Sequence, residues 1–488
     1  MSGICAGTIA TPAFAQDAQA EDDGFQSSGP VIVVTAQRQA QSLQEVPIAV
    51  SAFDAEALES QQIENASDLQ LTLPNVSFTK SNFTASSFTI RGIGDLCVGV
   101  SCDSATAIHL NSAPLFGTRL FETEYFDLER IEVLRGPQGT LFGRNATSGV
   151  VNVVSAKPDL SGFSGRAEFE YGNFNSIKAK GMLNLPIGEA IGARVAGFYL
   201  KRDGYTENLT TGSDFDDRDM YAIRGSLRFE PGPDTTIDLM AYYFEEDDNR
   251  SRIQKQLCQR DPTGVLGCLN ARRDFDKLNA NATFTGTLGS SEFLAINGIP
   301  SNFGLNSLYG PDAYANFDEP DDVRKIRTEF VPEYFTDELQ LQAHIEHNFG
   351  DIQVAVTGTY QETSVDSRQD YNQGVGEIPN ALPAFFSLNA FAAGAADGVF
   401  GPGSGAYFQP IVDALFDGSG NLCTSDTRLD GRGSYEGFRV CTPNGPQFDR
   451  SNQENESYSV EAIISSDLDG PFNFLLGGIY ADSKVLEN

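Results

Sequence analysis

The fold of this chain is decided by residues 134–155, which read Leu134-Arg135-Gly136-Pro137-Gln138-Gly139-Thr140-Leu141-Phe142-Gly143-Arg144-Asn145-Ala146-Thr147-Ser148-Gly149-Val150-Val151-Asn152-Val153-Val154-Ser155. Four glycines interrupt the stretch, and glycine permits tight turns and close backbone approaches that other side chains obstruct. An apolar, β-branched run closes the stretch, which favours a strand. We therefore predict a strand at Val150–Val154, preceded by turns at Gly136, Gly139, Gly143 and Gly149.

Charge and composition narrow the class of protein. The 488 residues include 67 Asp and Glu against 33 Lys and Arg, which gives a formal net charge of −34. Binding to nucleic acid requires clustered basic residues, so we expect no nucleic-acid partner. The 35 Phe and 16 Tyr residues distinguish the chain from a disordered acidic one.

The sequence lacks the residue patterns of a catalytic or nucleotide-binding site. The glycine-rich stretch is not followed by Gly-Lys-Ser/Thr, so it does not predict a phosphate cradle. The three histidines, His109, His344 and His347, are scattered and offer no base for a catalytic triad. We therefore expect no enzymatic activity, no cofactor and no metal site.

The first 46 residues indicate export. Residues 1–15 resemble a secretory signal, because an apolar stretch ends in the small-x-small pattern Ala13-Phe14-Ala15. The alternative is an ordinary apolar terminus, since the basic segment that opens such signals is missing. Residues 16–46 begin polar and acidic, which predicts a periplasmic tether. No later run approaches the ~20 apolar residues of a spanning helix, so entry into a membrane would require a closed barrel.

The cysteines agree with an oxidising compartment. Cys5 falls within the predicted signal, and the other six are close in sequence as three candidate disulfide pairs: Cys97 with Cys102, Cys258 with Cys268, and Cys423 with Cys441. Each pair lies in a Gly-, Asn- or Asp-rich region, as expected for loop disulfides formed in the periplasm. Because the chain has no Cys-x-x-Cys, a zinc site is a poor alternative.

Residues 47–158 have a mixed pattern that predicts a compact α+β domain. A short helix is expected from Asp54 to Ile63, with Asp54 as its N-cap. Strands are expected at Val76–Thr79, Phe88–Arg91 and Ile131–Leu134, before the one that closes the glycine-rich stretch. The resulting length, about 110 residues, is ordinary for a domain.

The remaining residues, 159–488, alternate between apolar and polar side chains. Tyr221, Ile223 and Leu227 would form one face of a strand, with Arg224 and Arg228 on the other. Segments of about ten residues with this alternation are typical of outer-membrane barrels. Nine such strands are predicted, near 164–172, 175–187, 190–202, 218–230, 235–246, 336–348, 351–364, 455–467 and 471–485.

The connections alternate between short and long, as in such barrels. Tight turns alternate with two long outer loops, 247–327 and 367–453. A secreted β-sandwich is the alternative, but its strands average only about 5–6 residues. Plugged outer-membrane transporters have about 22 strands. We therefore expect that the chain stops mid-barrel, as a fragment or a prematurely ended reading frame.

Two motifs resemble the TonB-dependent outer-membrane receptors, of the siderophore-receptor kind. Residues 134–155 match the plug domain of this family through Arg-Gly-Pro, the Gly-x-x-x-Gly spacing and the closing Val-Asn-Val-Val. Ile90-Arg91-Gly92 is similar to an earlier plug strand. Val31–Ala36 resembles the TonB box, given its place between a tether and a plug. One departure is Asn111-Ser112-Ala113-Pro114, where many members have Asp-Gly, and it puts a local turn in doubt.

The resemblance implies a fold and a function. The fold would be an antiparallel, up-and-down membrane β-barrel with an N-terminal α+β plug, in the bacterial outer membrane. The function would be gated import of a bulky, scarce nutrient, most commonly a ferric siderophore or similar iron chelate. The other partners would be outer-membrane lipid and TonB with its inner-membrane energising complex. Two alternatives remain. The first is the same kind of transporter with a vitamin, plant compound or oligosaccharide as its cargo, and the second is a secreted β-rich adhesin or structural protein.

Individual site residues also follow from the resemblance. TonB would add the box to a sheet edge by β-augmentation, through Val31, Ile32, Val33, Val34, Thr35 and Ala36. Arg91 and Arg135 lie where plug arginines of this family pair with acidic residues on the barrel wall. The alternative for both is a solvent-exposed arginine.

Overall fold

The computed structural model describes residues 32–39, 41–80, 86–94, 104–116, 123–251, 255, 257–269, 272, 274–312, 314–315, 319–328, 330–369, 381–395, 397–419, 421–423, 441–442 and 449–487. Three sequence predictions lie outside these residues: the signal at 1–15, the first box residue Val31, and the disulfide pair of Cys97 with Cys102.

The N-terminal part of the chain folds as a small α+β domain. Its strands are β1 (Val33–Val34), β2 (Gln41–Ser42), β3 (Val50–Asp54), β4 (Val76–Lys80), β5 (Ser86–Ile90), β6 (Thr106–Leu110), β7 (Ala113–Pro114), β8 (Leu128–Arg135) and β9 (Gly149–Ser155). Its helices are α1 (Ala55–Ser60), α2 (Ala66–Thr72) and α3 (Gly139–Phe142). Five strands form one sheet in the order β3-β8-β9-β6-β7, and β4 and β5 form a separate hairpin.

Strand β9 is the centre of this domain. All seven of its residues are buried, and it pairs with β8 on one side and, in parallel, with β6 on the other. A strand covered on both faces reads as a continuous apolar run, which is why Val150–Val154 is so uniform. Leu58 of α1 and Leu69 of α2 belong to the apolar cluster against one face of the sheet.

The short helices begin where local hydrogen bonding requires. The Oδ1 atom of Asp54 accepts from the amide of Ala57 at 2.8 Å, which satisfies an otherwise free donor of α1. Asn65 and Asp68 form a reciprocal capping box at the start of α2. The helix predicted from Asp54 to Ile63 is therefore present but ends at Ser60.

The rest of the described chain is dominated by one large sheet. From residue 164 on, the strands are β10 (Ser164–Gly172), β11 (Ser176–Pro186), β12 (Ile191–Arg202), β13 (Thr206–Asn208), β14 (Asp214–Phe215), β15 (Arg218–Gly232), β16 (Thr235–Asp248), β17 (Gln259–Arg260), β18 (Cys268–Leu269), β19 (Lys325–Ile326), β20 (Glu333–Asn348), β21 (Ile352–Gln369), β22 (Leu422–Cys423), β23 (Cys441–Thr442), β24 (Asp449–Ser466) and β25 (Leu475–Glu487). Nine of them, β10-β11-β12-β15-β16-β20-β21-β24-β25, form one sheet, hereafter the wall. Every neighbouring pair in the wall is antiparallel, which confirms the up-and-down prediction.

The two faces of the wall are inverted relative to a water-soluble protein. On β15, Ile223 and Leu227 are 51% and 48% exposed, whereas Arg224 between them is 4% exposed. On β20, Leu341 is 43% exposed and Gln340 only 2%. The polar face turns toward the N-terminal α+β domain that comprises β1–β9 and α1–α3, hereafter the plug. The apolar face turns outward as a continuous surface. An outward apolar band with a polar interior is the pattern of a membrane barrel.

The loops contain structure that the alternation did not predict. Helices lie within the two long connections: the 3₁₀ helices Ala280–Ala282 and Ser301–Phe303, and α4 (Phe284–Leu288), α5 (Ser291–Ile296), α6 (Ala381–Ala392), α7 (Asp397–Phe400) and α8 (Gly405–Leu415). The second connection is shorter than predicted, 370–448 in place of 367–453, because β21 and β24 extend beyond their apolar parts. Among the described residues, no helix combines the length and apolarity needed to cross a membrane.

Candidate functional site

The segment that resembles a TonB box lies against the plug. Strand β1 forms a short antiparallel hairpin with β2. Val34 and Ala36 are fully buried in an apolar cluster with Leu134, Phe142 and Val150. The tether was predicted to run through residue 46, but apolar residues between Ile32 and Val46 pack against the plug. The physical reason is that each buried apolar side chain contributes about 1.5–3 kcal/mol relative to an exposed one.

Thr35, the polar residue of the box, donates hydrogen bonds to a buried carboxylate. Glu132 on β8 is fully buried, and its Oε1 atom accepts from the amide and hydroxyl of Thr35 at 2.9 and 3.1 Å. Arg130 donates to the same carboxylate at 2.7 Å, and the Asn152 amide donates at 3.2 Å. Because each buried oxygen has donors, the charge on Glu132 is satisfied and the box is fixed in position.

Arg38, two residues after the box, contacts three parts of the molecule. Its Nε and Nη1 atoms donate to the main-chain oxygens of Leu141 and Ser112 at 2.9 and 2.5 Å. Its Nη2 atom donates to Glu461 of β24 at 3.0 Å. The guanidinium also lies 4.4 Å from the ring centroid of Phe142. Burial lowers the pKa of Arg38, and the Glu461 carboxylate opposes that shift.

His109 is buried beside Arg38. Its Nδ1 atom lies 3.1 Å from the main-chain oxygen of Ser112, and since a carbonyl only accepts, Nδ1 carries the proton. Its Nε2 atom has no hydrogen-bond partner among the described residues. Burial and the charge of Arg38 lower the pKa of His109 from 6.5 to about 3. The ring is therefore neutral in the folded domain.

We expect His109 to make the plug sensitive to acid. An unfolded chain binds a proton at His109 below pH 6.5 and the folded chain does not, so stability is lost as pH falls from 6.5 toward 3. The loss of folding free energy is about 1.4 kcal/mol per pH unit between the two pKa values. Hydrogen exchange of β8 and β9 at pH 7.5 and 4.5 measures it, against His109→Asn as the control. An equal loss of stability in both proteins would contradict this role.

Acids of the plug pair with bases of the wall, and we call this set of ion pairs the seam: Glu59, Glu64, Glu124 and Asp127 with Arg166, Lys178, Arg194 and Arg224. Asp127 of the plug pairs with Arg194 at 2.5 Å and with Arg224 at 3.3 Å. Arg224 also donates to the main-chain oxygen of Asp127 and lies 4.8 Å from the ring of Phe126. All three charged side chains are at most 11% exposed. A buried seam of this kind fixes the plug against β12 and β15.

Three further pairs of the seam range from nearly buried to exposed. Lys178 of β11 contacts Glu64 at 2.5 Å and Glu124 at 3.0 Å. Arg166 of β10 contacts Glu59 at 2.7 Å, with both side chains more than half exposed. In these contacts the acid is on the plug and the base on the wall, which is the reverse of the polarity predicted from Arg91 and Arg135.

The structure places Arg91 and Arg135 differently from the prediction. Arg91 is exposed at a left-handed turn with φ of +54°, where its amide donates to the main-chain oxygen of Asn75. Arg135 donates to the hydroxyl of Ser51 at 3.2 Å, within the plug. Among the described residues, neither guanidinium pairs with a carboxylate of the wall. Arg91 lies at an exposed turn after β5, and Arg135 at the end of β8 contacts another plug residue, so the described contacts do not support the predicted pairing with the wall.

The turn that departs from the family pattern forms nevertheless. Asn111 and Ser112 both have positive φ, +51° and +66°, between the paired residues Leu110 and Ala113. A two-residue hairpin loop of this kind requires positive φ at both positions, and asparagine tolerates it well. The turn also touches the wall, since the Asn111 amide donates to Gln342 at 2.9 Å.

The four glycines have different roles. Gly136 and Gly143 have φ of +114° and +78°, so both are turns that favour glycine. Gly139 opens α3, and a Cβ added there would meet nothing within 4 Å. Gly149 begins β9, where a Cβ would lie 2.2 Å from the main-chain oxygen of Leu134. Only the last position requires a close backbone approach among these four.

Two of the candidate cysteine pairs are joined in the outer loops. Cys258 bonds to Cys268, and Cys423 bonds to Cys441, with Cα atoms 4.8 and 4.0 Å apart. Cys423 and Cys441 are directly opposite each other in the β22–β23 hairpin. Within the described ranges, no group of three or more His, Cys, Asp or Glu side chains is arranged to hold a metal ion.

Comparison with known proteins agrees with this geometry. A family model described as TonB-dependent Receptor Plug Domain matches residues 42–150. The iron-regulated outer membrane virulence protein of Vibrio cholerae is 27% identical over 244 residues, which cover 48% of this chain and 36% of that protein. The ferrioxamine B receptor of Salmonella typhimurium is 31% identical over 126 residues, 25% of this chain and 17% of the receptor.

Solved structures share the fold at low sequence identity. The ferric yersiniabactin uptake receptor FyuA from Yersinia pestis matches with a TM-score of 0.54 and 13% identity, covering 90% of this chain and 49% of that one. The ferric-catecholate import receptor Fiu from E. coli K12 matches with a TM-score of 0.55 and 13% identity, covering 94% and 53%. The chain thus spans about half the length of these receptors. The nine-stranded wall corresponds to part of a receptor barrel.

Proposed function

We propose that this chain, a TonB-dependent siderophore-receptor-like protein of the outer membrane, imports a ferric siderophore through a barrel gated by its plug. The observation that carries the proposal is the inverted wall. Its apolar face is suited to lipid, and its polar face contacts the plug. Relatives described as ferrioxamine B and ferric yersiniabactin receptors support a siderophore as the cargo.

The plug must be displaced for cargo to pass, and the box is the proposed point of attachment. TonB, with its inner-membrane energising complex, would bind Val31–Ala36 by adding it to a sheet edge. The hairpin of β1 with β2 has only two paired residues on each strand. An isolated pairing of this length is marginally stable, so burial of Val34 and Ala36, rather than the pairing, holds the box in place until TonB binds. Displacement of the plug would then follow from force applied at this segment.

Deletion of residues 31–36 is the test of this function. We expect the complete reading frame carrying this deletion to bind its ferric siderophore at the cell surface but to lose at least nine-tenths of its uptake. Uptake of ⁵⁵Fe complexes by iron-starved cells, measured with and without the deletion, gives the result. Deletion of residues 25–30, six residues that immediately precede the box, is the length-matched control and should leave uptake intact.

The same assay identifies the cargo. Ferrioxamine-type and catecholate-type iron complexes, cobalamin and labelled oligosaccharides are supplied one at a time to cells that express the receptor. Uptake of one iron complex that depends on residues 31–36 would support the proposal. Uptake of cobalamin or an oligosaccharide alone would replace the siderophore by another cargo, and unchanged uptake after the deletion would contradict the mechanism.

A further inference from the structure

We infer that cargo crosses the receptor between the plug and β10–β12, along a gap that is present while the plug is in place, hereafter the cleft. The inference rests on the proposed function and adds the side of the barrel on which the plug gives way. The cleft has a volume of about 860 Å³. Its plug side is lined by α1, residues 62–64 and residues 125–129, and its wall side by side chains of β10, β11 and β12.

The cleft has the dimensions of a passage. On β10 its lining runs from Glu170 to Arg166, a length of about 13 Å at ~3.3 Å per residue. Arg166 lies toward the short periplasmic turns and Glu170 toward the outer loops. Sites that enclose drug-sized ligands have volumes of about 300–1,000 Å³. A bulky solute therefore needs the cleft to widen, not to be created.

The wall side of the cleft is charged. Glu168 of β10 lies opposite Lys180 of β11, and both line the cleft. Arg166 and Arg194 line it as well. Charged groups retain water, because removing a charge from water is costly. The cleft is therefore a hydrated path that suits a polar solute.

Ion pairs close the cleft at both ends, and the inner pair is the weaker. At the outer end, Lys178 contacts Glu64 and Glu124 of the plug, with side chains 12%, 38% and 12% exposed. At the inner end, Arg166 contacts Glu59 of α1, with side chains 58% and 63% exposed. Water replaces the partner of an exposed charge at little cost. The plug therefore separates most easily from β10 at the periplasmic end of the cleft.

The opposite side of the plug is held by buried amides. The Asn111 amide donates to Gln342 of β20 at 2.9 Å. The main-chain amide of Phe116 donates to Gln361 of β21 at 3.0 Å, and its carbonyl accepts from Asn455 of β24 at 2.8 Å. Gln361 and Asn455 are buried, so separation there would leave polar groups without partners. These contacts make β20, β21 and β24 the side on which the plug stays.

A buried hydroxyl beside the cleft favours opening on this side. Tyr125 lines the cleft and is 7% exposed, and its hydroxyl has no hydrogen-bond partner within the described ranges. A buried hydroxyl without a partner is unfavourable. Widening of the cleft gives this hydroxyl water or a polar cargo as its partner, which offsets part of the cost of opening.

A covalent bridge across the inner end of the cleft tests the route. Glu59→Cys and Arg166→Cys are joined by a short bifunctional thiosulfonate in the complete receptor on iron-starved cells. The matched bridge joins Asn111→Cys to Gln342→Cys, because the native contacts are similar, 2.7 Å for the first pair and 2.9 Å for the second. Uptake of ⁵⁵Fe-ferrioxamine and of a ⁵⁵Fe-catecholate complex is measured before bridging, after bridging and after reduction.

The two bridges have opposite expected results. The 59–166 bridge should lower uptake at least tenfold, with recovery on reduction, and the 111–342 bridge should lower it less than twofold. Persistent uptake with the 59–166 bridge would mean that cargo passes elsewhere. Equal losses with the two bridges would mean that the plug leaves every strand together. Either result overturns the route.

A second measurement tests the cleft without cargo or TonB. In the purified complete receptor, Met182→Cys places a thiol in the cleft, and Ser457→Cys places one at a buried position of β24. The unaltered receptor gives the background from native cysteines. We expect 2-sulfonatoethyl methanethiosulfonate to modify position 182 at least tenfold faster than position 457. Equal rates would show that the cleft is closed in solution and would overturn the inference.

The route and the proposed function fail in different ways. If cells with the unbridged receptor take up neither iron complex, the siderophore is the wrong cargo, and the bridges are scored with cobalamin or the labelled oligosaccharide that is taken up instead. Uptake of an iron complex that is indifferent to the 59–166 bridge refutes the route and leaves the proposed function standing. The thiol rates decide the cleft in both cases.

Discussion

Alanine in place of Gly149 is expected to destabilise the plug by about 3 kcal/mol or more. The added Cβ would lie 2.2 Å from the main-chain oxygen of Leu134 and 2.8 Å from Cδ1 of Ile90. Ile90 could adopt another rotamer, but the oxygen of Leu134 belongs to the strand that pairs with β9. Relief of this clash requires β8 and β9 to separate, which exposes the centre of the plug.

Two other glycines of the same stretch provide matched controls. Gly139→Ala adds a methyl group in open space at the start of α3, so stability should be unchanged or slightly higher. Gly143→Ala meets no atom within 4 Å, but its φ of +78° and ψ of −145° lie in a region almost restricted to glycine, which makes alanine unfavourable by about 1–3 kcal/mol. Protection of β8 and β9 from hydrogen exchange should therefore decline in the order Gly139, Gly143, Gly149. An equal effect at positions 139 and 149 would mean that the close approach does not exist in solution.

This series also shows what the sequence contains and what it does not. The spacing of the four glycines was sufficient to recognise the stretch. It does not distinguish position 139 from position 149, because both residues are glycine. What separates them is contact with Ile90 and Leu134, which lie 59 and 15 residues away from Gly149. Contacts between segments distant in sequence are set by the folded domain and leave no local pattern.

The wall was predicted well because its signal is local. Side chains on a strand alternate between two environments, so period-2 alternation is visible within a few residues. The nine predicted segments correspond to the nine strands of the wall. The ends were less accurate: β21 was predicted to stop at 364 but continues to Gln369. Main-chain hydrogen bonds between β21 and β24 continue to Gln369 although the apolar face has ended. Such hydrogen bonds leave no hydropathy pattern from which the end of a strand could be predicted.

The box was recognised by its sequence, but its packing was not. A β-branched run such as Val31–Thr35 suits an exposed edge strand and a buried strand equally. The deciding partners are Glu132, far along the chain, and the apolar pocket near Phe142. The sequence did not predict the contacts of Arg38, because a single arginine after a β-branched run is common and indicates no particular partner.

The polarity of the seam could have been anticipated from the wall. Arg194 and Arg224 fall on the polar face of their predicted strands, which in a plugged barrel faces the plug. A buried base requires an acid, and the plug offers Glu124 and Asp127 close together. The prediction instead began from the plug arginines and searched for acids on the wall. Counting charges on the inner face of each strand is the sequence signal that was overlooked.

Replacing Asp127 by asparagine is expected to loosen the plug from the wall by about 3–5 kcal/mol. The change keeps the size of the side chain but removes the charge that balances Arg194 and Arg224. Both guanidiniums remain buried, with side chains 11% and 5% exposed, and each would lose its ion-pair partner. Removal of one partner from a buried pair is destabilising because the other partner cannot reach water.

The matched control is another acid of the same seam. Glu59→Gln removes the partner of Arg166, but these side chains are 63% and 58% exposed, so solvent replaces the lost contact. An exposed pair contributes at most about 1 kcal/mol. Hydrogen exchange of residues 123–135 in the complete receptor measures both variants. We expect exchange in this segment to accelerate at least a hundredfold in Asp127→Asn and less than fivefold in Glu59→Gln. Similar rates in the two variants would show that burial of the seam does not govern how the plug is held. The plug would then be retained by uncharged hydrogen bonds to the wall, between Asn111 and Gln342 of β20 and between Phe116 and both Gln361 of β21 and Asn455 of β24.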